Sequence, residues 1–331
     1  MTPILVRTRT GLAAARPAIG RPVVLVPVID ALDDGHPAPD DGHPALDDGH
    51  RALIRAARRH AGPAGSVVVA VVGGQRTGRG PGPEPGQGPA GQPGPGGAER
   101  AAERDFALCA AEDVDLIFVP RPDQLIAAPG RVTVDPGPAG RVFEGSGGPA
   151  RLGGYLTVML RLFSLIGPDA AVVGDRDAQR IYLVRQMVAN LDLPVTVVAA
   201  ADARDPDGLP VSGRTGRLSA AERATALAVP RALMAGQRAA ADGAQAALDR
   251  ARAELDAAAT ARPPLVTEYL AVVDPATFEP VRPGFGGPAI MLVAGAVGGI
   301  RLIDSTWLTV GDGQDEDRRR ADSATVRGKS G

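Results

Sequence analysis

The chain has 331 residues, with 36 Lys and Arg against 38 Asp and Glu, a formal net charge of −2 and 44% hydrophobic residues. That length buries a real core and suits two domains, or one domain with a smaller partner, while the near-neutral charge argues against nucleic acid or a membrane surface as the main partner. The single cysteine, Cys109, excludes an internal disulfide framework and fits a reducing cytoplasm; no secretory-type leader is expected, and no apolar run nears 18 residues without a charge or glycine.

Residues 1–22 read as a short strand and a loose lead-in. Residues 23–28 (VVLVPV) are uncharged and largely β-branched, which suits the centre of a parallel sheet. A seven-residue unit then occurs three times, Ala31 to Pro37, Ala38 to Pro44 and Ala45 to Arg51, each carrying Asp-Asp-Gly-His. The last copy runs into an amphipathic helix over 51–60, with Leu53, Ile54 and Ala57 on one face and Arg51, Arg55, Arg58 and Arg59 elsewhere. His50 therefore stands on or just before the first turn, among backbone N–H groups that have no acceptor within the helix, a place suited to a phosphate. A solvated duplicated loop, or an adventitious metal site, are the other readings of the repeat.

Residues 66–72 (SVVVAVV) form the next buried strand. From Gly78 to Gly97, 15 of 20 residues are Gly or Pro, so a low-complexity loop outside any packed site is expected there. A helix over 99–111, which holds Cys109 as a buried apolar residue, precedes a strand over 114–119 and a small strand over 131–134. A helix from about 153 to 165 leads to a strand over 170–174, the loop Asp175-Arg176-Asp177, a helix over 178–190 and a strand over 194–200. This alternation predicts a doubly wound parallel sheet over 1–205.

Beyond residue 206 the pattern changes. Ser219 followed by Glu222 is a capping box for a helix over 220–236, and a very Ala-rich helix covers about 238–259. Strands over 265–274, 289–297 and 301–308 complete a smaller α+β domain over 206–310, and the polar residues 311–331 read as a disordered tail.

The blocks GHRALIRAA (49–57), TVDPGP (133–138) with Glu144-Gly145, TVMLRL (157–162), VVGDRDAQRIYLVRQMV (172–188), DGLPVSGR (207–214) and RLIDS (301–305) occur in the order found in one family. The chain resembles pantothenate synthetases (pantoate–β-alanine ligases), nucleotidyltransferase-type enzymes with a His-x-Gly-His signature, as a divergent member. The resemblance implies ATP-dependent condensation of pantoate, or a related small acid, with β-alanine through an acyl-adenylate, with release of AMP and pyrophosphate. It also implies Mg²⁺, a cytoplasmic enzyme and a homodimer. The competing reading is a weakly active or inactive relative that keeps the nucleotide-binding fold. A dinucleotide oxidoreductase is disfavoured, because no Gly-x-Gly-x-x-Gly turn follows the first long strand.

Carried onto this sequence, the catalytic positions are His50, Arg176, Ser212 and Arg214. Nucleotide contacts fall at Asp47, Gly49, His50, Gly174, Asp177, Val211 and Ser212, with Asp177 as the metal contact. The acid would meet Ile29, Gln75, Gln179 and Arg180, and Arg301 would act from the C-terminal domain. Several positions depart from the pattern. The first histidine of the signature is an aspartate in every repeat copy (Asp33, Asp40, Asp47). The upstream flank fits His36 and the downstream flank His50, and His50 is preferred because the helix start places it. Arg176 stands for a lysine in a chain with one lysine, Lys329, and Arg180 stands for a glutamine that meets pantoate. Gly213 and Thr215-Gly216-Arg217 replace polar residues of the phosphate-closing loop, Arg151-Leu152 replaces His-Phe, and Gln75 serves only with a slipped register.

Overall fold

A computed structural model describes residues 2–29, 46–72, 97–125 and 132–311. By contacts the chain forms two compact units, one from Met1–Gly174 with Leu183–Asp202 and the other from Asp175–Tyr182 with Ala203–Gly331.

In the first unit, β1 (Ile4–Val6), α1 (Arg9–Ala15), β2 (Val23–Ile29), α2 (Asp48–Ala61), β3 (Ser66–Val72), α3 (Gly97–Ala111), β4 (Leu116–Phe118), α4 (Pro122–Leu125), α5 (Pro149–Ile166), β5 (Ala170–Gly174), α6 (Ala178–Asn190) and β6 (Thr196–Ala200) follow one another, the first turns of α6 grouping with the second unit. The sheet is parallel throughout, in the order β1-β4-β3-β2-β5-β6. Winding reverses between β2 and β5, so their carboxyl ends flank a topological switch point, where doubly wound folds bind ligands. The amino ends there are pinned: Asp169 Oδ2 accepts from the Val23 N–H at 2.7 Å, and the Asp169 N–H donates to Val23 O at 2.8 Å. The pairing of β2 with β5 runs through Val24↔Ala170 and Leu25↔Ala171, whereas β2 pairs with β3 along its whole length. Pro27, which lacks an N–H, lies just past the last β2–β5 pair.

Apolar spacing builds this core. Leu53, Ile54, Ala57 and Ala61 of α2 are buried with Val24, Val26 and Val28 of β2 and Val67, Val69 and Val71 of β3. Cys109 is fully buried, and burial, with Asp105 nearby, pushes its thiol pKa up to about 12, as expected for an inert core cysteine.

The second unit continues with α7 (Ala220–Ala226), α8 (Ala228–Ala239), α9 (Ala244–Ala259), β7 (Leu265–Val273), β8 (Gly287–Val297) and β9 (Ile300–Val310). The last three form an antiparallel sheet in the order β7-β8-β9. β8 and β9 turn through Gly298 (φ 57°) and Gly299 (φ 82°), a two-residue connection in which both residues need positive φ. Small residues let α8 and α9 approach: a Cβ on Gly236 would lie 3.1 Å from Ala247 O and 2.4 Å from Met291 Cε.

Several elements differ from the sequence expectation. The lead-in holds α1, started by Thr8, whose Oγ1 accepts from the Gly11 N–H at 3.0 Å. α2 begins at Asp48, three residues earlier than its apolar periodicity indicates, because Asp47 caps it. Residues 132–134 are irregular, where a strand was expected, since the Val134 N–H donates to Thr157 Oγ1 of α5 instead of a neighbouring strand. The expected helix over 220–236 is two helices, with Pro230 in the first turn of α8, where its missing N–H costs least. The Ala-rich helix starts at Ala244, after a 3₁₀ turn over Ala240–Asp242 and Gly243 at φ 110°. Residues 175–182 group with the C-terminal unit: Ser305 Oγ donates to Asp175 O at 3.0 Å, and the Tyr182 ring stacks on Phe278 with centroids 5.1 Å apart. The first two repeat copies, most of the Gly/Pro tract and the tail beyond residue 311 lie outside the described residues.

Candidate active site

In the first unit the candidate site is framed by two strand ends and the start of a helix. Ile29 ends β2 and Gly174 ends β5, on the two sides of the switch point. A Cβ on Gly174 would lie 2.6 and 2.9 Å from the carboxylate oxygens of Asp202, so the strand end is closed to any larger residue without a shift of Asp202. Asp47 is the N-cap of α2, its carboxylate accepting from the His50 N–H at 2.9 Å. His50 Nδ1 accepts from the Asp47 N–H at 3.2 Å and lies 2.7 Å from Asp47 Oδ1. The aspartate in place of a histidine thus has a structural use, a reciprocal capping box, and its anion favours the helix N-terminus. Gly49 is buried in that turn.

Glu144, of a family block, and Arg151, of a departure from it, prove to be partners. Glu144 is buried, and Arg151 Nη2 donates to its backbone carbonyl at 2.7 Å and stands 3.4 Å from its Oε2. The Arg-Leu that departs from the family's His-Phe is accounted for by packing: Arg151 compensates the Glu144 carboxylate, and Leu152 is fully buried.

The second unit carries the cations. Arg176 and Asp177 precede α6, and the Asp177 Oδ1 accepts from the Arg180 N–H at 3.0 Å, an N-cap geometry. The Arg180 Nε stands 2.9 Å from Asp177 Oδ2, with both side chains largely buried. The arginine in place of the pantoate-binding glutamine is therefore engaged with the carboxylate expected to contact a metal. Gln179 is buried beside them in sequence.

Val211, Ser212 and Arg214 lie on one turn, held by a residue the sequence reading treated only as a departure. Thr215 is buried; its Oγ1 accepts from the Ser212 N–H at 3.0 Å and donates to Pro210 O at 2.8 Å, and the Thr215 N–H donates to Ser212 Oγ at 3.3 Å. Arg301 forms a cross-sheet ion pair, its Nε and Nη2 at 2.9 and 2.8 Å from Glu268 Oε2. Gln75 lies outside the described residues.

Residues 98–307 match the family model for pantoate-beta-alanine ligase. A pantothenate synthetase of Thermobifida fusca is 44% identical over 315 residues, covering 93% of this chain and 97% of that protein. The chain belongs to the pantoate–β-alanine ligase family. A relative from Acidothermus cellulolyticus is 40% identical over 306 residues, covering 92% of this chain and 91% of that protein. The crystal structure of pantothenate synthetase from Thermus thermophilus aligns with a TM-score of 0.72 and 32% identity over 92% of this chain and 98% of its own. The ligase fold expected from the sequence, a doubly wound nucleotide-binding sheet with a smaller antiparallel α+β unit, is the fold observed.

Proposed function

We propose that this chain, an ATP-dependent acid–amine ligase, joins pantoate to β-alanine, with pantoate activated as its adenylate before the amine attacks. The observation that carries the reading is the switch-point crevice of a family member, bounded by Ile29, Gly174 and the N-terminus of α2. Ligase chemistry of this kind needs no covalent nucleophile; it needs donors around phosphates whose charge grows during adenylation.

The residues fit ATP as a substrate. Gly49 and the N-terminus of α2 offer backbone donors without side-chain bulk, and His50 adds an imidazole in the same turn. Arg176 and Arg214 supply permanent positive charge, and Ser212 a hydroxyl on the turn that Thr215 braces. Gln179 and Arg180 are assigned to the acid, with Arg180 suited to a carboxylate once it exchanges its Asp177 partner. Arg301, paired with Glu268, takes a supporting place beside β7.

Mg²⁺ is part of the reading as the usual companion of ATP. Asp177 as it stands is a poor host for it, since its two oxygens are engaged by Arg180, and no cluster of three or more His, Cys, Asp or Glu side chains suited to a metal occurs among the described residues. A cytoplasmic setting and a homodimer belong to the same proposal; no helix among the described residues is long and apolar enough to cross a membrane.

ATP–pyrophosphate exchange with Mg²⁺, run with pantoate beside a panel of small hydroxy and dicarboxylic acids, tests the proposal. Exchange with pantoate, followed by pantothenate and AMP on adding β-alanine, is the expected result. Exchange with another acid alone assigns the chain a different substrate, for which the Asp177–Arg180 pair is the first cause to examine. Absence of exchange in folded protein that binds ATP favours the inactive-relative reading.

A further inference from the structure

The RLIDS block contributes Arg301 to the family pattern, but its two buried polar contacts are made by the following residues of the strand. Asp304 has a side chain with no exposed surface, and it holds Arg204 through two parallel bonds, Nη1 to Oδ2 at 2.6 Å and Nη2 to Oδ1 at 2.8 Å. Asp304 Oδ1 also accepts from the Ser305 N–H at 2.9 Å. Arg204 in turn braces a tight hairpin: its Nη1 donates to Gly208 O at 3.0 Å, the Asp205 N–H to Leu209 O at 2.9 Å, and the Val211 N–H to Ala203 O at 2.7 Å. That hairpin ends at Val211, and Ser212 and Arg214 follow it. One residue along β9, Ser305 Oγ donates to Asp175 O at 3.0 Å, immediately before Arg176 and Asp177.

Two segments distant in sequence, 175–177 and 204–214, are thus tied to adjacent residues of one strand within one unit. We infer that Asp304 and Ser305 are positioning residues for adenylation, setting the spacing of the Arg176 and Ser212–Arg214 donors. The inference rests on the reaction proposed above and adds residues to it. Polar anchoring suits the task, because a bidentate carboxylate–guanidinium pair fixes angle as well as distance, and small displacements of phosphate donors are expensive in rate. The Asp304–Arg204 pair also explains why an acid is tolerated in a strand core: its charge is compensated and its lone pairs are used.

Ser305→Ala removes the Asp175 tether without stranding a charge, and Ser305→Thr keeps the hydroxyl. Asp304→Asn keeps the shape and breaks the ion pair. The full chain and these variants are compared by calorimetric ATP binding, ATP–pyrophosphate exchange with pantoate, and thermal unfolding. Ser305→Ala is expected to weaken ATP binding and lower exchange kcat, each by about 5- to 50-fold, with pantoate KM unmoved and Ser305→Thr close to wild type. Ser305→Ala with wild-type ATP affinity and kcat overturns the inference, whether or not Asp304→Asn unfolds. A wild-type chain that binds ATP without exchange refutes the proposed reaction instead, and the ATP affinities of the variants then still decide the positioning role.

Discussion

The two halves of the candidate machinery are built from different materials. In the first unit the groups proposed to face the ligand are strand ends, a buried glycine and a helix N-terminus, and their placement follows from the parallel sheet. In the second unit they are arginines and a serine on short connections, placed by side-chain bonds to Thr215, Arg204 and β9. The difference explains which substitutions this chain has absorbed. In the first unit Asp47 stands where the family pattern has a histidine, and it caps the helix with a reciprocal capping box. In the second unit one changed residue brings a visible partner, Arg180 with Asp177.

The strongest way to break this comparison is Arg214→Ala. If charge in the second unit carries adenylation, exchange with pantoate falls about 10²- to 10³-fold, the range found when one donor to a developing anion is removed; an unchanged rate assigns the phosphate charge to the first unit alone. Arg180→Gln is expected to act more narrowly. It releases Asp177 and restores an amide at the acid position, so pantoate KM should change by about three- to tenfold while ATP affinity is held, a shift worth about 1 kcal/mol. An equal change in both parameters removes Arg180 from the acid.

Asp47→Ala separates capping from ligand binding. Loss of the cap lowers unfolding free energy by about 1 kcal/mol, read from urea titration, while ATP affinity holds or tightens because an anion has left the helix start. Weaker ATP binding would show that Asp47 organises the site through His50. The smallest effect is expected at the closed end of the switch point. Arg21, through its hydrogen bond, and then the Val23 N–H hold the Asp169 carboxyl below the usual aspartate range. A lowered folded pKa stabilises the fold above the unfolded value and loses that stabilisation as pH falls through the folded one. Asp169→Asn should therefore lower stability slightly above about pH 4, neutrality included, and flatten the acid limb below it, where the wild type loses the same contribution; identical curves would show that the ion pair is too exposed to count.

The long elements were legible because burial imposes a period. The uncharged runs at 66–72 and 170–174 are strands at those bounds, because strands buried on both faces read as continuous apolar runs, and 178–190 is a helix at its expected bounds. The Ser219–Glu222 capping box was readable for the same local reason, and both of its bonds form, at 2.8 and 3.3 Å. Residues 132–134 show the limit: their alternation is strand-like, but a threonine 23 positions later takes the backbone donor.

The same division holds at the site. Sequence by itself determined the family, the parallel sheet and a helix that opens in the neighbourhood of His50, because these depend on neighbours within a few residues or on ordered blocks along the chain. It also picked out Arg301 from the RLIDS block as a candidate ligand-facing residue. Tertiary structure alone decided that Arg301 pairs with Glu268, and that Asp304 and Ser305 hold two distant segments. Which of several polar side chains meets which depends on how the chain returns to itself, and a run of residues encodes the side chains' chemistry without encoding their partners.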